Sequence, residues 1–536
     1  MTEVKKAIII GGGPTGLAMA MLLQLTNRIT PVVYEIHHEP STLGGALGIP
    51  PNGLRLLSRL GVYEQLLARG SSATNLVLHS VKGHDLGQMD MVSWSNEKIG
   101  FGYMRIKRTD LMAVLLEAAA KRGIMVNYGK RISSITEQDE HVTATFADGT
   151  ADSGDMLLGC DGIHSAVRSL FVDPEITPEY TGISNIFSLL PTSALSVPPA
   201  ALNGLNATIT TDGLFAVTSC TPTADEAYWF FSREVPVPAS GDSRDGWEEH
   251  RQKEINGFKD SIRTVLDEVK GSWGDTLREV VDQTAVVKFY PVFRLPLGGT
   301  WSKGRCLLLG DAAHAMPPHA SQGVSMGLED AYLLARVLED PSRSLSQAFD
   351  TYEEKRRPRI KEIYDAAERN GNLRRKTSGW RLQVNELALA AGLGIYHTCK
   401  LEKLGLGQKP LVYDIESEEA TVTTDGGLAL ISGDGLLTVP GGILSHAAPT
   451  PTSGAAWDGC EEHGQEEKDG FKESLLTVPD EVKGAWSNAP DASGQALPHL
   501  STAAGWAVVQ RMQLDTGQCR MLAKAFAWED AHITVG

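Results

Sequence analysis

The chain has 536 residues, 49 Lys+Arg against 66 Asp+Glu, and a formal net charge of −17, with 42% hydrophobic and 21% charged side chains. That length provides for two to four domains and a sizeable core, and the ordinary composition excludes a fibrous or wholly disordered chain. The acidic balance argues against nucleic acid or an anionic membrane surface as main partner, and no run of apolar residues is long enough for a transmembrane helix.

In chain order, residues 4–10 read as a buried strand, Gly11-Gly12-Gly13-Pro14-Thr15-Gly16 as a turn, and Leu17 to Leu25 as an apolar helix. A second strand, Pro31 to Glu35, ends in a carboxylate. Strand, G-x-G-x-x-G, helix, strand, acid is the pattern of a dinucleotide site. Gly11 permits the tight turn, Gly13 lets backbone approach a pyrophosphate, and Gly16 lets helix pack on strand. The helix N-terminus offers free N–H groups, and Glu35 can accept hydrogen bonds from a ribose. At this point FAD and NAD are equally compatible.

Three later segments narrow the choice. Met104 to Leu111, with Arg108, opens an amphipathic helix. Leu157 to Arg168 contains Asp161-Gly162. Gly304 to Pro318 contains Gly310-Asp311 and continues to Gln322-Gly323-Val324. With these in place, residues 5–415 resemble the single-component FAD-dependent aromatic hydroxylases, the p-hydroxybenzoate and salicylate hydroxylase family, including members from fungal secondary metabolism. The order of motifs is the same: glycine loop, Arg before a helix, DG and GD.

The resemblance implies an α/β fold: a Rossmann-like FAD-binding domain, an interleaved α+β substrate domain with a mainly antiparallel sheet, and a C-terminal helical region. The expected boundaries are 1–178 with 291–375 for FAD, 179–290 for substrate, and 376–419 for the helical segment. It also implies residue roles. Glu35 would bind the adenosine ribose, Arg108 the diphosphate side, and Asp311 the ribityl chain. Asp161 and Gly162 would lie near the pyrophosphate and the nicotinamide path. Gly323 and Val324 would start a helix whose N–H groups face the flavin's pyrimidine edge, where the reduced ring carries negative charge. The Pro317 carbonyl would approach the flavin ring. Gly45 and Ala46 fall in the stretch beside the flavin, Ala46 standing where the family has glycine. His319 lies in a segment that is glycine-rich in the family; it would either touch substrate or be solvated or paired.

Strands are expected at Ile183–Leu190, Ala207–Ser219, Ala227–Phe231 and Thr284–Phe289, and a helix over 245–273. Hydroxylation of this kind is chemistry of the cofactor, so the protein must exclude water, orient substrate and, for phenols, remove a proton. Tyr228, on a strand expected to face the pocket, is the polar candidate; its other reading is a packed tyrosine with a wet hydroxyl. The chain has one complete G-x-G-x-x-G, so NADPH or NADH would dock transiently without a fold of its own. The implied reaction uses O2 to hydroxylate or epoxidise an aromatic or polyunsaturated small molecule. An oxidase or reductase on the same scaffold, or a non-catalytic FAD-binding protein, is the alternative. No motif fixes substrate, coenzyme choice or oligomeric state.

The six cysteines are widely spaced, without a metal-binding or redox-pair pattern, and the N-terminus passes directly into the first strand. The expectation is a cytoplasmic protein. Charge is uneven: residues 411–536 hold 19 acidic and 6 basic side chains, residues 1–410 hold 47 and 43. Within the acidic end, residues 420–487 align without gaps to 207–274, 32 of 68 positions being identical. Pro479 replaces Leu266 and Lys524 stands opposite Asp311. Residues 420–536 therefore read as a non-catalytic appendage carrying a degraded partial copy, with 433–465 and 488–505 expected to be poorly ordered.

Overall fold

The run Ala7-Ile8-Ile9-Ile10 lies at the centre of a six-stranded sheet in the computed structural model, which describes residues 4–40, 44–73, 75–235, 247–249, 252–418, 423–424 and 427–428. Strand Lys6–Ile10 pairs in parallel with Thr30–Tyr34 on one side and Met156–Gly159 on the other. Cys306–Leu308 continues the parallel order beyond Met156–Gly159, and Val126–Asn127 closes the opposite side. Covered on both faces, Ala7–Ile10, Met156–Gly159 and Cys306–Leu308 read as unbroken apolar runs rather than alternating ones. Helix Pro14–Leu22, buried from Gly16 onward, packs against helix Gly323–Val337, so the glycine loop and the start of the later helix meet.

The second sheet has eight strands in the order Trp247–Glu249, Val287–Arg294, Glu179–Pro191, Glu226–Glu234, Gly213–Ser219, Leu205–Thr210, Asn75–His79, Asp85–Asp90. All neighbours are antiparallel except Leu205–Thr210 with Asn75–His79. The expected substrate sheet is thus present, with three differences. The expected strand Ala207–Ser219 is a hairpin, because Thr211-Asp212 turns the chain and Gly213 takes φ +143°. The helix expected over 245–273 is two, Gln252–Leu266 and Gly271–Asp282, broken where Gly271 takes φ +68°. Two strands come from residues 75–90, a segment expected in the nucleotide domain.

A three-stranded sheet, Ala46–Ile49, Tyr103–Lys107 and Ser71–Ala73, joins the halves. Its Met104 and Ile106 enter the nucleotide core. On the other face, Ala46 packs with Cys220 and Tyr228 of the large sheet. The C-terminal helix Gly379–Thr398 lies along Asp85–Asp90, fastened where the buried Glu386 accepts hydrogen bonds from Ser80 Oγ (2.9 Å) and Val81 N (2.8 Å). No helix among the described residues is long and apolar enough to cross a membrane. Of a second unit, Thr421–Leu522, only the pairing of Thr423–Thr424 with Gly427–Leu428 is described; the remainder of the copied segment lies outside the described residues.

Candidate cofactor and active site

The glycine loop is specified by steric limits at two positions. A Cβ on Gly11 (φ +107°) would collide with the Cys160 carbonyl, and one on Gly16 with the Gly11 carbonyl. In front of Gly13 there is open space. Glu35 already holds the loop: its carboxylate accepts from Gly12 N at 2.8 Å and His37 N at 3.0 Å. A carboxylate has about four acceptor positions, so capacity for ribose hydroxyls remains.

Asp161 is consumed by its own loop. It accepts from Ser165 Oγ (2.6 Å), Ala166 N (2.7 Å) and Val167 N (3.1 Å), while burial raises its pKa against those bonds. Its backbone N lies against Gly11, so the DG segment shapes the glycine loop from behind; Gly162 takes φ +75° with open space before it.

Asp311 differs. It follows Gly310 (φ +59°), accepts no hydrogen bond from the described residues, and has Oδ1 4.0 Å from where a Gly323 Cβ would lie. The protein around its exposed side chain raises its pKa, with His314 and Arg108 pulling it down. A free carboxylate beside a helix N-terminus, Arg108 and the open face of the glycine loop make a cradle for a polyhydroxylated diphosphate. Gln322, the residue that precedes this helix, has its Nε2 buried and without a partner among the described residues. The residues present therefore fit FAD.

Loop 44–46 is fixed between the sheets. Gly45 O accepts from Arg108 N (3.0 Å) and Gly44 O from Lys288 Nζ (3.2 Å). Gly45 must be glycine, because a Cβ would run into the Tyr228 ring. That ring is buried with Phe187 and Phe230, centroids 5.9 and 5.7 Å away. Its hydroxyl has no hydrogen-bond partner among the described residues, and burial raises its pKa. Pro317 and His319 instead line a cavity of about 550 Å³ with Tyr180, Arg294 and Asn372. The His319 Nε2 is buried without a partner among the described residues.

Burial, with Arg374 adding to it, holds the His319 pKa down at about 2. The unfolded chain, with its ordinary value near 6.5, takes up the proton first. The stability this histidine contributes is therefore complete above pH 6.5 and is lost as pH falls toward 2. At about pH 5 the loss is roughly 2 kcal/mol. His319→Asn is expected to flatten the fall of thermal midpoint between about pH 7 and about pH 5; an unchanged slope would show the histidine to be solvated.

One cluster was not singled out from the sequence. Glu329 and Asp330, both fully buried, meet Arg356: Nη1 donates to Glu329 Oε2 and Nε to Asp330 Oδ1, each at 2.7 Å. Asn52 Nδ2 reaches Glu329 (2.8 Å) and Gln322 (3.0 Å); Asp330 also accepts from Gly310 N (2.7 Å) and contacts His314 Nε2 (2.8 Å). Burial opposes ionisation of Asp330, but His314 and Arg356 win, and its pKa stays at about 2. The cluster ties Gly310, next to Asp311, to the helix that begins at Gly323.

Comparison with known proteins agrees with this geometry. The family described as "FAD binding domain" matches residues 4–275 and 296–367. The 6-hydroxynicotinate 3-monooxygenase of Pseudomonas fluorescens is 30% identical over 377 residues, covering 70% of this chain and 93% of that protein. The 3-amino-4-hydroxybenzoate 2-monooxygenase PtnB3 of Streptomyces platensis is 28% identical, covering 69% and 89%. The crystal structure of Klebsiella pneumoniae HpxO complexed with FAD and uric acid superposes with TM-score 0.62 at 23% identity, covering 76% of this chain and 97% of that one. Its likeness bears on the fold, and the sequence relatives bear on the chemistry: this chain belongs to the FAD-binding-domain family and is an FAD-dependent monooxygenase.

Proposed function

We propose that the enzyme uses NAD(P)H and O2 to hydroxylate or epoxidise an aromatic small molecule held against the large sheet beside loop 44–46. The observation that carries this is the contact of Gly45 with Tyr228: the loop expected beside the flavin rests directly on an aromatic wall made by Phe187, Tyr228 and Phe230. FAD, when bound, supplies reduction of O2 and transfer of one oxygen atom. The chain's residues do the rest. The aromatic wall orients a planar ring and excludes water. Tyr228, kept protonated by burial, can donate its hydroxyl hydrogen to a substrate oxygen or accept one, but it does not serve as an anionic base near neutral pH. Pro317 and His319, which line the cavity of about 550 Å³, would contact cofactor or substrate there.

Relatives named for 6-hydroxynicotinate and 3-amino-4-hydroxybenzoate support an aromatic or heteroaromatic substrate. Dependence on NAD(P)H puts the enzyme, in this reading, in the cytoplasm, where that coenzyme is supplied. The test is the visible spectrum of the purified protein, followed by a screen of aromatic compounds for stimulated NAD(P)H oxidation. A flavin spectrum and compound-dependent oxidation are expected; protein without flavin, or oxidation that no compound changes, would overturn the reading.

In the same reading, residues 420–536 are a non-catalytic appendage. A chain ending at residue 419 is expected to keep its FAD and its turnover, measured by absorbance and NAD(P)H consumption; a folded truncated protein without either would assign the appendage a role.

A further inference from the structure

We propose that the outward face of helix Gly379–Thr398 is a dimerisation surface, on which a second copy of this chain lays the same helix antiparallel.

The helix has two faces. Leu382, Glu386, Leu393 and Tyr396 are buried, and Leu382 and Leu389 pack on the hairpin formed by Leu205–Thr210 and Gly213–Ser219. The opposite face carries Trp380, Val384 and Leu387, which are 61%, 52% and 50% exposed, and then Ala391, Gly394 and Thr398, exposed as well. Steps of 4, 3, 4, 3 and 4 residues make a straight seam of the kind that pairs helices, not a scatter of surface apolar residues. The charged residues of the helix are Arg381, in its first turn, and Glu386, which is buried against Ser80 and Val81. Two such faces meet without like-charge repulsion along their length.

The order of sizes decides which partner fits. The large side chains occupy the first half of the seam and the small residues the second. When two copies cross antiparallel about a two-fold axis at the level of Leu389, Trp380 faces Thr398 of the second copy, Val384 faces its Gly394 and Leu387 faces its Ala391. The same three pairs recur beyond the axis, so every layer sets a large side chain against a small one. One patch is thereby complementary to itself, which is the condition for a closed two-fold dimer. Gly394 is an independent observation. Glycine inside a helix is destabilising relative to alanine, and a Cβ at this position would meet no atom of the described residues within 4 Å. Close approach of Val384 from a second copy gives the glycine a reason. Thr398 donates its hydroxyl hydrogen to the Gly394 carbonyl (2.8 Å), so it brings no unpaired polar group to the seam.

A helix of 20 residues is about 30 Å long, and a third of its accessible girth over that length is roughly 450 Å² per copy. The total of roughly 900 Å² lies below the ~1,200–2,000 Å² of stable complexes. The dimer should therefore form reversibly, with Trp380 as its anchor.

The test is sedimentation velocity of the FAD-loaded full chain over a range from about 1 to about 200 µM. A monomer–dimer equilibrium with Kd on the order of 1–100 µM is expected. Leu387→Glu and Ala391→Lys should each raise Kd more than about tenfold, because each buries an unpaired charge in the seam. Both positions are exposed, so the monomer keeps its fold, which circular dichroism checks. An equal mixture of the two variants should dimerise again, since the new charges face each other only in the antiparallel register. A monomer at every concentration, a dimer indifferent to Leu387→Glu, or a mixture that stays monomeric would overturn the proposal. Two further results would overturn it by naming another occupant. A monomeric full chain with a dimeric chain ending at residue 419 would assign the face to the appendage. A monomer that binds anionic phospholipid vesicles, and loses that binding in Leu387→Glu, would assign it to a membrane surface.

Discussion

Arg356→Met is expected to destabilise the protein by about 3–5 kcal/mol, the loss typical of breaking a buried ion pair by removing one partner. The reason is what remains. Glu329 and Asp330 stay fully buried; among the described residues Glu329 keeps Asn52 and the more distant Arg359 at 3.7 Å, and Asp330 keeps Gly310 N and His314. Two carboxylates that shared a fork would then face each other's charge with one strong cation fewer, and one or both would take up a proton. Since Gly310 and the Gly323 helix hang on this cluster, FAD affinity should fall with stability. Chemical denaturation, read by tryptophan fluorescence, measures the first effect. Lys361→Ala is the control on helix Leu345–Gly371, which also carries Arg356: its pair with Asp365 is exposed, and its removal should cost no more than about 0.5 kcal/mol. If the two variants lose similar stability, the buried cluster is not what holds these elements together.

Asp311→Ala is expected to yield a folded protein with little or no bound flavin. This carboxylate accepts no hydrogen bond from the described residues, so alanine removes nothing the fold relies on. What it removes is an acceptor aimed at the cofactor, worth about 1.5–3 kcal/mol for a charged hydrogen bond, or about ten- to a hundredfold in FAD affinity. The ratio of flavin to protein absorbance after gel filtration reads it directly, with circular dichroism confirming the fold. Asp161→Ala should behave differently, because its carboxylate accepts three hydrogen bonds within its own loop. Stoichiometric FAD in Asp311→Ala would refute the placement of that residue at the cofactor.

The parts of the fold that could be read in the sequence are those where backbone geometry restricts residue choice. Gly11 and Gly16 have no room for a Cβ, and the unbroken run Ala7 to Ile10 is what a strand covered on both faces requires. Gly45 belongs with them, although the ring that excludes a side chain there, Tyr228, is far away in sequence and only the fold brings it near. Illegible were features that depend on pairing. Glu329, Asp330 and Arg356 look like any charged residues on helices, since a buried carboxylate and a solvated one are spelled alike. Strand Asn75–His79 joins the large sheet through a parallel pairing with Leu205–Thr210, a contact no local pattern records. The net charge, in turn, describes the end of the chain more than the catalytic part, where 47 acidic and 43 basic side chains nearly cancel.

The most direct test of the central claim is isotopic. With a substrate from the screen, turnover under oxygen-18 gas in ordinary water should place one labelled oxygen in the product, and turnover under ordinary oxygen in labelled water should place none. Product without label, accompanied by hydrogen peroxide equal to the NAD(P)H consumed, would contradict the account and leave a flavin oxidase in its place.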